Sequence, residues 1–317
     1  MLKTVFHVMK FLLSRVGIIY VLLFIFLIFC VDLKKIDERV KIRRLNGMRP
    51  EFAQMIDFAK HYQPAQTVDW TPYKDYFERL LSYLPNNSTA EKLHIEDYFI
   101  AKTLLGYIYF YTGQEKKAIS YFGASEDFNR HFFWSNYNLG VIYYKKGMYA
   151  KALKHLNQAL ETDPEMTIKF MNNSTLYRQI FSSNSFNFNL KDELREAFGS
   201  AYVLMAASLG HLQQYKEMLM VSVAAINKKE VPNQEDIYFY AALACLELKE
   251  IDKAAVFFNS SLSIKKDNPV IYLYLSRIYK VAGNDQKSQE ALKISQEIHS
   301  KNSQWHPFDE RVELRYF

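Results

Sequence analysis

The residues with the most reactive side chains in this sequence do not form catalytic or metal-binding patterns. Histidine and cysteine are the first candidates, because they supply metal ligands, nucleophiles and general bases. The chain has eight histidines and two cysteines, and no two histidines share metal-ligand spacing on one helix face. It also lacks a phosphate-binding glycine loop and a nucleophile elbow. We therefore expect no catalytic residue, no metal and no cofactor, and we predict that the protein is not an enzyme.

The residue types best suited to recognising another molecule are the aromatic ones. The 317 residues include 24 Phe and 23 Tyr, but only 10 Gly and 8 Pro. Tyrosine and tryptophan offer a large apolar area with a polar tip, and they often dominate the energy of protein binding. Few glycines and prolines favour long packed helices over a turn-rich β protein. A binding function therefore depends on how helices hold these aromatic side chains.

A 34-residue period indicates how such helices are arranged. Every class of residue in a first set recurs 34 positions later. The first set is Leu105-Gly106, Tyr109, Gly113, Ala118 and Phe122, and the second is Leu139-Gly140, Tyr143, Gly147, Ala152 and Leu156. A fixed period of this length is typical of a helical-repeat protein.

The period has a physical cause in the packing of a helical hairpin. A small residue, Gly106 or Gly140, is needed where the second helix of the hairpin crosses closely, and Ala118 or Ala152 is the matching small contact. Pro164 cannot continue the second helix. These five residues are the predicted repeat-packing set.

Residues 133–166, which also carry Ala159, Asp163 and Pro164, resemble the tetratricopeptide repeat (TPR) consensus. The resemblance implies an all-α, right-handed TPR superhelix, that is, an α-solenoid, which acts by binding proteins. It predicts two TPRs and three weaker TPR-like units. Their ranges are 99–132 and 133–166, then 199–232, 235–268 and 269–302.

Three further segments flank or interrupt the repeats. Apolar stripes within residues 50–98 predict N-terminal capping helices, and residues 303–317 form an aromatic C-terminal tail. Residues 167–198, rich in Asn and Ser, are either a degenerate repeat or a long exposed loop.

In a TPR solenoid, the first-helix positions that face neither the second helix nor the next repeat line a concave groove. By this resemblance the protein-binding groove is aromatic, and either a partner or an adjacent helix of the chain fills it. The predicted groove residues are Ile100, Tyr107, Phe110, Tyr111, Trp134, Tyr137, Val141, Tyr144 and Lys145.

TPR proteins that capture the acidic C-termini of chaperones clamp the terminal carboxylate with Lys and Asn in this groove. Here Asn138 matches one clamp position, but Thr103 and Tyr107 replace the residues expected in the first unit. Ser200 and Leu204 replace the basic residues of the third. We therefore do not expect this chaperone role.

The N-terminal region predicts a membrane anchor. Residues 11–31 are apolar except for Ser14 and Arg15, and at about 1.5 Å per residue they would span one hydrocarbon core. They separate an N-terminal tail, residues 1–10, from a basic juxtamembrane stalk, residues 32–49. The apolar run ends in Phe29-Cys30-Val31 without the small residues of a signal-peptidase site, which favours an uncleaved anchor.

The orientation of this anchor follows from opposing signals. Lys and Arg are more frequent after the span, which by itself places the solenoid in the cytoplasm. Acidic residues dilute that charge, however, and a short basic tail is hard to translocate, so we expect the solenoid in the periplasm of a bacterial inner-membrane protein. The net charge of +6 suits lipid headgroups and comes with no nucleic-acid-binding motif.

These features predict a membrane-anchored scaffold that assembles a multiprotein envelope complex. The partners would be proteins and the lipid bilayer, and no nucleic acid. The Lys-, Asn-, Phe- and Tyr-rich usage with an N-terminal anchor is similar to the TPR collar proteins of spirochaete periplasmic flagellar motors. The alternative is a membrane-bound receptor or co-chaperone with a cytosolic solenoid.

Overall fold

The computed structural model describes residues 69–83, 95–126, 132–181, 189–228, 231–301 and 314–315. These residues form thirteen α-helices and no strand. The helices, numbered along the chain, are α1 (Thr71–Tyr83), α2 (Ile95–Tyr111), α3 (Glu115–Glu126), α4 (Phe133–Lys145), α5 (Tyr149–Leu160), α6 (Pro164–Asn173), α7 (Thr175–Phe181), α8 (Leu190–His211), α9 (Tyr215–Asn227), α10 (Gln234–Glu247), α11 (Ile251–Ile264), α12 (Pro269–Val281) and α13 (Asp285–Lys301).

The helices pack as a row of antiparallel hairpins. Five hairpins are regular, namely α2–α3, α4–α5, α8–α9, α10–α11 and α12–α13, and the second helix of each contacts the first helix of the next. Each hairpin buries its apolar face against its neighbours, as in other repeat proteins. This confirms the predicted all-α helical solenoid, while its handedness stays a prediction.

Close crossing of the two helices depends on glycine in the first two hairpins. A Cβ atom on Gly106 would lie 2.8 Å from the Phe122 ring, and one on Gly140 would lie 2.6 Å from Leu156. Ala118 and Ala152, the reciprocal small residues, are fully buried. The side chains that need the space at the two glycines are thus Phe122 and Leu156.

The turn between the helices of each regular hairpin has one residue in the left-handed region. It is glycine in three hairpins, at Gly113, Gly147 and Gly283, with φ between 68° and 75°. In the other two it is Gln213 (φ 58°) and Lys249 (φ 63°). This conformation ends the first helix and strains any residue with a Cβ atom.

The last regular hairpin has serine where the first two have glycine or alanine. The hydroxyls of Ser276 in α12 and Ser288 in α13 lie 3.1 Å apart and share a hydrogen bond. Ser295 donates a hydrogen bond to the carbonyl oxygen of Pro269 at 2.8 Å. Hydrogen bonding therefore satisfies these buried hydroxyls at the helix contact.

Helices α6 and α7 interrupt the row between the second and third regular hairpins. They contact α2, whereas α8 packs directly on α5 as if α6 and α7 were absent. Asp97 of α2 fixes them, because its carboxylate accepts hydrogen bonds from the Ser174 hydroxyl at 2.5 Å and from the Leu176 amide at 2.9 Å. The segment 167–198, predicted as a degenerate repeat or a loop, contains most of α6, all of α7 and the start of α8.

Pro164 begins α6 instead of packing between repeats. The preceding helix has ended at Leu160, and the Asp163 side chain accepts a hydrogen bond from the Glu165 amide to cap α6. Proline suits this first helical position because the helix does not use its missing N–H there. Pro164 itself is exposed.

The N-terminal part of the chain is described only from residue 69. Helix α1 lies within the predicted capping region 50–98 and contacts α2, where the Tyr109 hydroxyl donates a hydrogen bond to Glu78. Among the described residues no helix is long and apolar enough to cross a membrane. The predicted tail 1–10, anchor 11–31 and stalk 32–49 all lie outside the described residues.

Candidate functional site

The predicted groove residues of the first repeat are mostly covered. Ile100 is 0% exposed and Tyr107 is 8% exposed, while Phe110 and Tyr111 are half-buried. The Trp70 ring covers this surface, with its centroid 6.0 Å from that of Tyr107 and 6.3 Å from that of Tyr111. These aromatic side chains hold the start of α1 against α2.

The predicted groove residues of the second repeat are buried more completely. Trp134, Tyr137 and Val141 are 0% exposed, Tyr144 is 7% exposed, and only Lys145 is exposed. Helix α8 covers them from one side.

A ring stack and a hydrogen bond show how α8 covers that surface. Phe133 stacks on Phe198 with centroids 4.5 Å apart. The Tyr144 hydroxyl lies 3.3 Å from Nε2 of His211. Six of the nine predicted groove residues thus lie in the interior between the chain's own helices, and their role in partner binding stays a prediction.

Helix α4 also carries a polar residue, Asn138, which contacts another segment of the chain. Asn138 lies two residues before Gly140, about 200° around the helix, and therefore on the face of α4 turned away from α5. We call this the inner face. Asn138 is fully buried, so its amide needs hydrogen-bonding partners.

Those partners are the main-chain groups of Arg315. Nδ2 of Asn138 donates to the Arg315 carbonyl oxygen at 2.6 Å, and the Arg315 amide donates to Oδ1 at 2.8 Å. One side chain thereby satisfies both main-chain polar groups of one residue, as a neighbouring β-strand would. The preceding residue, Leu314, is 4% exposed. The inner face of α4 therefore holds the main chain of Arg315 by two hydrogen bonds.

Helix α8 supplies the electrostatic part of this site. Glu193, in the first turn of α8, accepts a hydrogen bond from Nη1 of Arg315 at 3.2 Å. Burial raises the pKa of the Tyr137 phenol, and the positive charge of Arg315 opposes that rise. We call Asn138, Tyr137 and Glu193 together the Asn138 site.

Sequence reasoning found part of the Asn138 site. The sequence identifies Asn138 as one match to a clamp position and places Tyr137 in the groove. It does not identify Glu193, because the third predicted unit starts at residue 199. The signal for it was Asn189, whose side chain caps α8 by accepting a hydrogen bond from the Lys191 amide, followed by Asp192 and Glu193. An Asn before acidic residues marks a helix start.

A second concave region lies where α6 leaves the row of hairpins. It is a cleft of about 690 Å³ with an apolar wall that includes Leu160, Ile168, Leu194 and Phe198. Its lining also contains four basic and acidic side chains, which are Lys191, Arg195, Lys228 and Glu165. The cleft exists because α8 packs on α5 and α6 is displaced towards α2.

The reactive side chains of the described residues are not grouped for catalysis. No cluster of three or more His, Cys, Asp or Glu residues in this part of the chain could hold a metal ion. Cys245 is buried, and burial raises the pKa of its thiol, which keeps the thiol protonated and unreactive.

Two hairpins match models of a known repeat. Residues 101–130 and residues 134–166 each match the tetratricopeptide repeat. The chain contains tetratricopeptide repeats. These repeats are non-catalytic modules that bind proteins, and the protein is not an enzyme.

Solved structures with a similar arrangement share little sequence with this chain. The crystal structure of MamA is 15% identical, with a TM-score of 0.47, over 63% of this chain and 98% of that chain. BtubC (BKLC) from P. vanneervenii is 13% identical, with a TM-score of 0.47, over 76% of this chain and 95% of that chain. A tetratricopeptide repeat protein from Parabacteroides merdae is 14% identical, with a TM-score of 0.36, over 81% and 93%. No curated protein sequence matches the chain.

Proposed function

We propose that this protein is a membrane-anchored scaffold that assembles a multiprotein envelope complex by holding extended segments of its partners on the inner face of the solenoid. The observation that carries the proposal is the pair of hydrogen bonds between Asn138 and the main chain of Arg315. An amide that pairs with both main-chain groups can hold any extended segment whose neighbouring side chains fit. The tetratricopeptide repeats supply the rigid support that such a site needs.

The proposal is tested by purification from gently solubilised membranes. Wild-type protein is expected to retain partner proteins in fixed stoichiometry. Asn138→Ala is expected to lose them, because the partner main chain would then leave buried polar groups unpaired. Asn157→Ala is the matched control, since Asn157 is an exposed residue of α5 whose amide bonds only Glu161 at 2.5 Å. Recovery of the wild type as a monomer without partners would contradict the proposal.

The membrane part of the proposal is supported by the apolar run 11–31 and the basic stalk 32–49 of the sequence. We propose that the solenoid lies in the periplasm. Protease added to cells with an opened outer layer is then expected to cleave the solenoid before lysis. Protection until lysis would favour the alternative function, a receptor or co-chaperone whose solenoid faces the cytosol.

A narrower version of the proposal is that the complex is a flagellar motor collar. Its support is the similarity in residue usage and N-terminal anchor to the collar proteins of spirochaete motors. The protein is then expected to co-purify with flagellar basal bodies. Its complete separation from them would remove this version while leaving the general scaffold function in place.

A further inference from the structure

The Asn138 site is already occupied by the chain itself. Its occupant, Leu314–Arg315, lies in the C-terminal tail, 177 residues away from Asn138 in the sequence. Buried pairing of this kind is specific in geometry, because both main-chain polar groups of Arg315 are satisfied at 2.6 and 2.8 Å. The tail therefore shows which ligand the site accepts.

Main-chain pairing by Asn138 does not select between side chains, so selectivity must come from the neighbouring contacts. Leu314 is 4% exposed, which indicates an apolar contact. Arg315 points its guanidinium to the Glu193 carboxylate at 3.2 Å. The site is therefore selective for a segment in which an apolar residue is followed by a basic one.

The contacts of Arg315 are also suited to exchange. Arg315 and Glu193 keep 29% and 32% of their side chains exposed, and an ion pair that water reaches contributes little net stability. The tail is covalently linked to the solenoid, so its binding to the site is intramolecular and does not depend on protein concentration. A free partner segment must compete with that intramolecular binding.

We propose that the Asn138 site binds partner segments with an apolar residue followed by Arg or Lys, and that Leu314–Arg315 is an intramolecular competitor which a partner displaces. This inference rests on the proposed scaffold function and specifies its partner chemistry and its control. The second residue of the segment is basic because Glu193 faces it. The site is closed by its own tail until a stronger segment replaces it.

The first experiment measures peptide binding to the full chain with and without its competitor. The probe is a fluorescently labelled peptide of residues 309–317, followed by anisotropy. The variant Leu314→Asp/Arg315→Glu removes the apolar contact and places a second negative charge beside Glu193. This released variant is expected to bind the probe at least about tenfold more tightly than the wild type, in which the linked tail competes.

The second experiment tests the recognition of the basic residue. In the released variant, Glu193→Lys is expected to weaken binding of the probe by about threefold or more, as the loss of an exposed ion pair would. It should strengthen binding of a probe with Glu in place of Arg315, while Leu314→Asp keeps the variant's own tail from competing. Glu290→Lys, an exposed acidic residue of α13, is the matched charge control and should change neither affinity.

Three results would overturn the inference. Equal probe affinity of wild type and released variant would show that the tail is no competitor. Absence of probe binding to the released variant would show that the tail is a fixed structural part. A dimer that forms with rising wild-type concentration and disappears in the released variant would identify the occupant as the tail of a second copy. If the released variant still retains its partners from membranes in any of these cases, the scaffold function stands without this inference.

Discussion

The first two regular hairpins and the next two reach the same backbone with different residues. Hairpins α2–α3 and α4–α5 use glycine both at the helix crossing and at the turn. Hairpins α8–α9 and α10–α11 use Ala206 and Ala242 at the corresponding crossing positions, and Gln213 and Lys249 at the turn. The fold therefore fixes the geometry, while the residue type follows from what each helix must pack against.

The crossing shows how one residue compensates for another. Leu156 follows Gly140 at the same spacing as Ser222 follows Ala206. The glycine on the first helix leaves room for a leucine on the second, whereas both residues of the pair in the third regular hairpin are small. The first two hairpins, which have glycine at this crossing, match the repeat models over residues 101–130 and 134–166.

The largest change in the free energy of unfolding is expected for a substitution at the helix crossing. Gly140→Ala should lower the free energy of unfolding by about 2 kcal/mol, because its Cβ would lie 2.6 Å from Leu156. Adding Leu156→Ser recreates the pair of the third regular hairpin, and the double variant should lose less than the sum of the two single losses. Urea denaturation measures all three.

Gly123→Ala is the matched control for Gly140→Ala. It lies in helix α3 with no atom within 4 Å of the added Cβ, so the variant should gain up to about 1 kcal/mol from helix propensity. If Gly140→Ala were as stabilising as Gly123→Ala, close packing would not explain the glycine at the crossing.

Substitutions at the turns should change the free energy of unfolding by a smaller amount. The sign should differ between the first two regular hairpins and the next two. Lys249→Gly and Gln213→Gly are each expected to raise the free energy of unfolding by about 1 kcal/mol, because φ values of 63° and 58° strain a residue with a Cβ atom. Gly147→Ala, at φ 68°, should lower it by a similar amount. The three positions are exposed, so packing does not obscure the comparison. Destabilisation by both glycine variants would show that the side chains at these turns contribute contacts that exceed the strain.

A comparably small effect is expected in the last hairpin, where two hydrogen-bonded serines stand at the positions of glycine and alanine in the first two hairpins. Ser276→Ala or Ser288→Ala alone should cost about 1 kcal/mol, because each leaves the other buried hydroxyl without its partner at 3.1 Å. The double alanine variant should be close to the wild type, since two apolar groups of similar size replace the pair. A double variant that loses the sum of the single losses would contradict a coupled pair.

Much of the fold was accessible from sequence because the repeat is local. The positions of Gly106, Gly113 and Ala118 recur after 34 residues, and each is set by contacts within one hairpin. Helix α8 was harder to place, because α6 and α7 interrupt the period and pack back on α2. The sequence period does not predict which distant helix an inserted pair of helices packs against.

Only part of the Asn138 site could be predicted from the sequence, because it too depends on contacts between distant segments. Helical spacing identified the face that carries Tyr137, Tyr144 and Trp134, but it did not tell that α8 covers that face. Asn138 was recognisable by its position, whereas its partner Arg315 lies 177 residues away in a tail without any repeat pattern. A contact between a repeat and a segment outside the repeats produces no periodic pattern in the sequence, so the period could not predict it.

Asn138 holds the main chain of Arg315 on the inner face of α4. Hydrogen exchange at the Arg315 amide tests it most directly, because that amide donates to Oδ1 of Asn138 at 2.8 Å. We predict slow exchange at Arg315 in the wild type, fast exchange in Asn138→Ala, and slow exchange in the control Asn157→Ala. An Arg315 amide that exchanges equally fast in all three proteins would contradict the account.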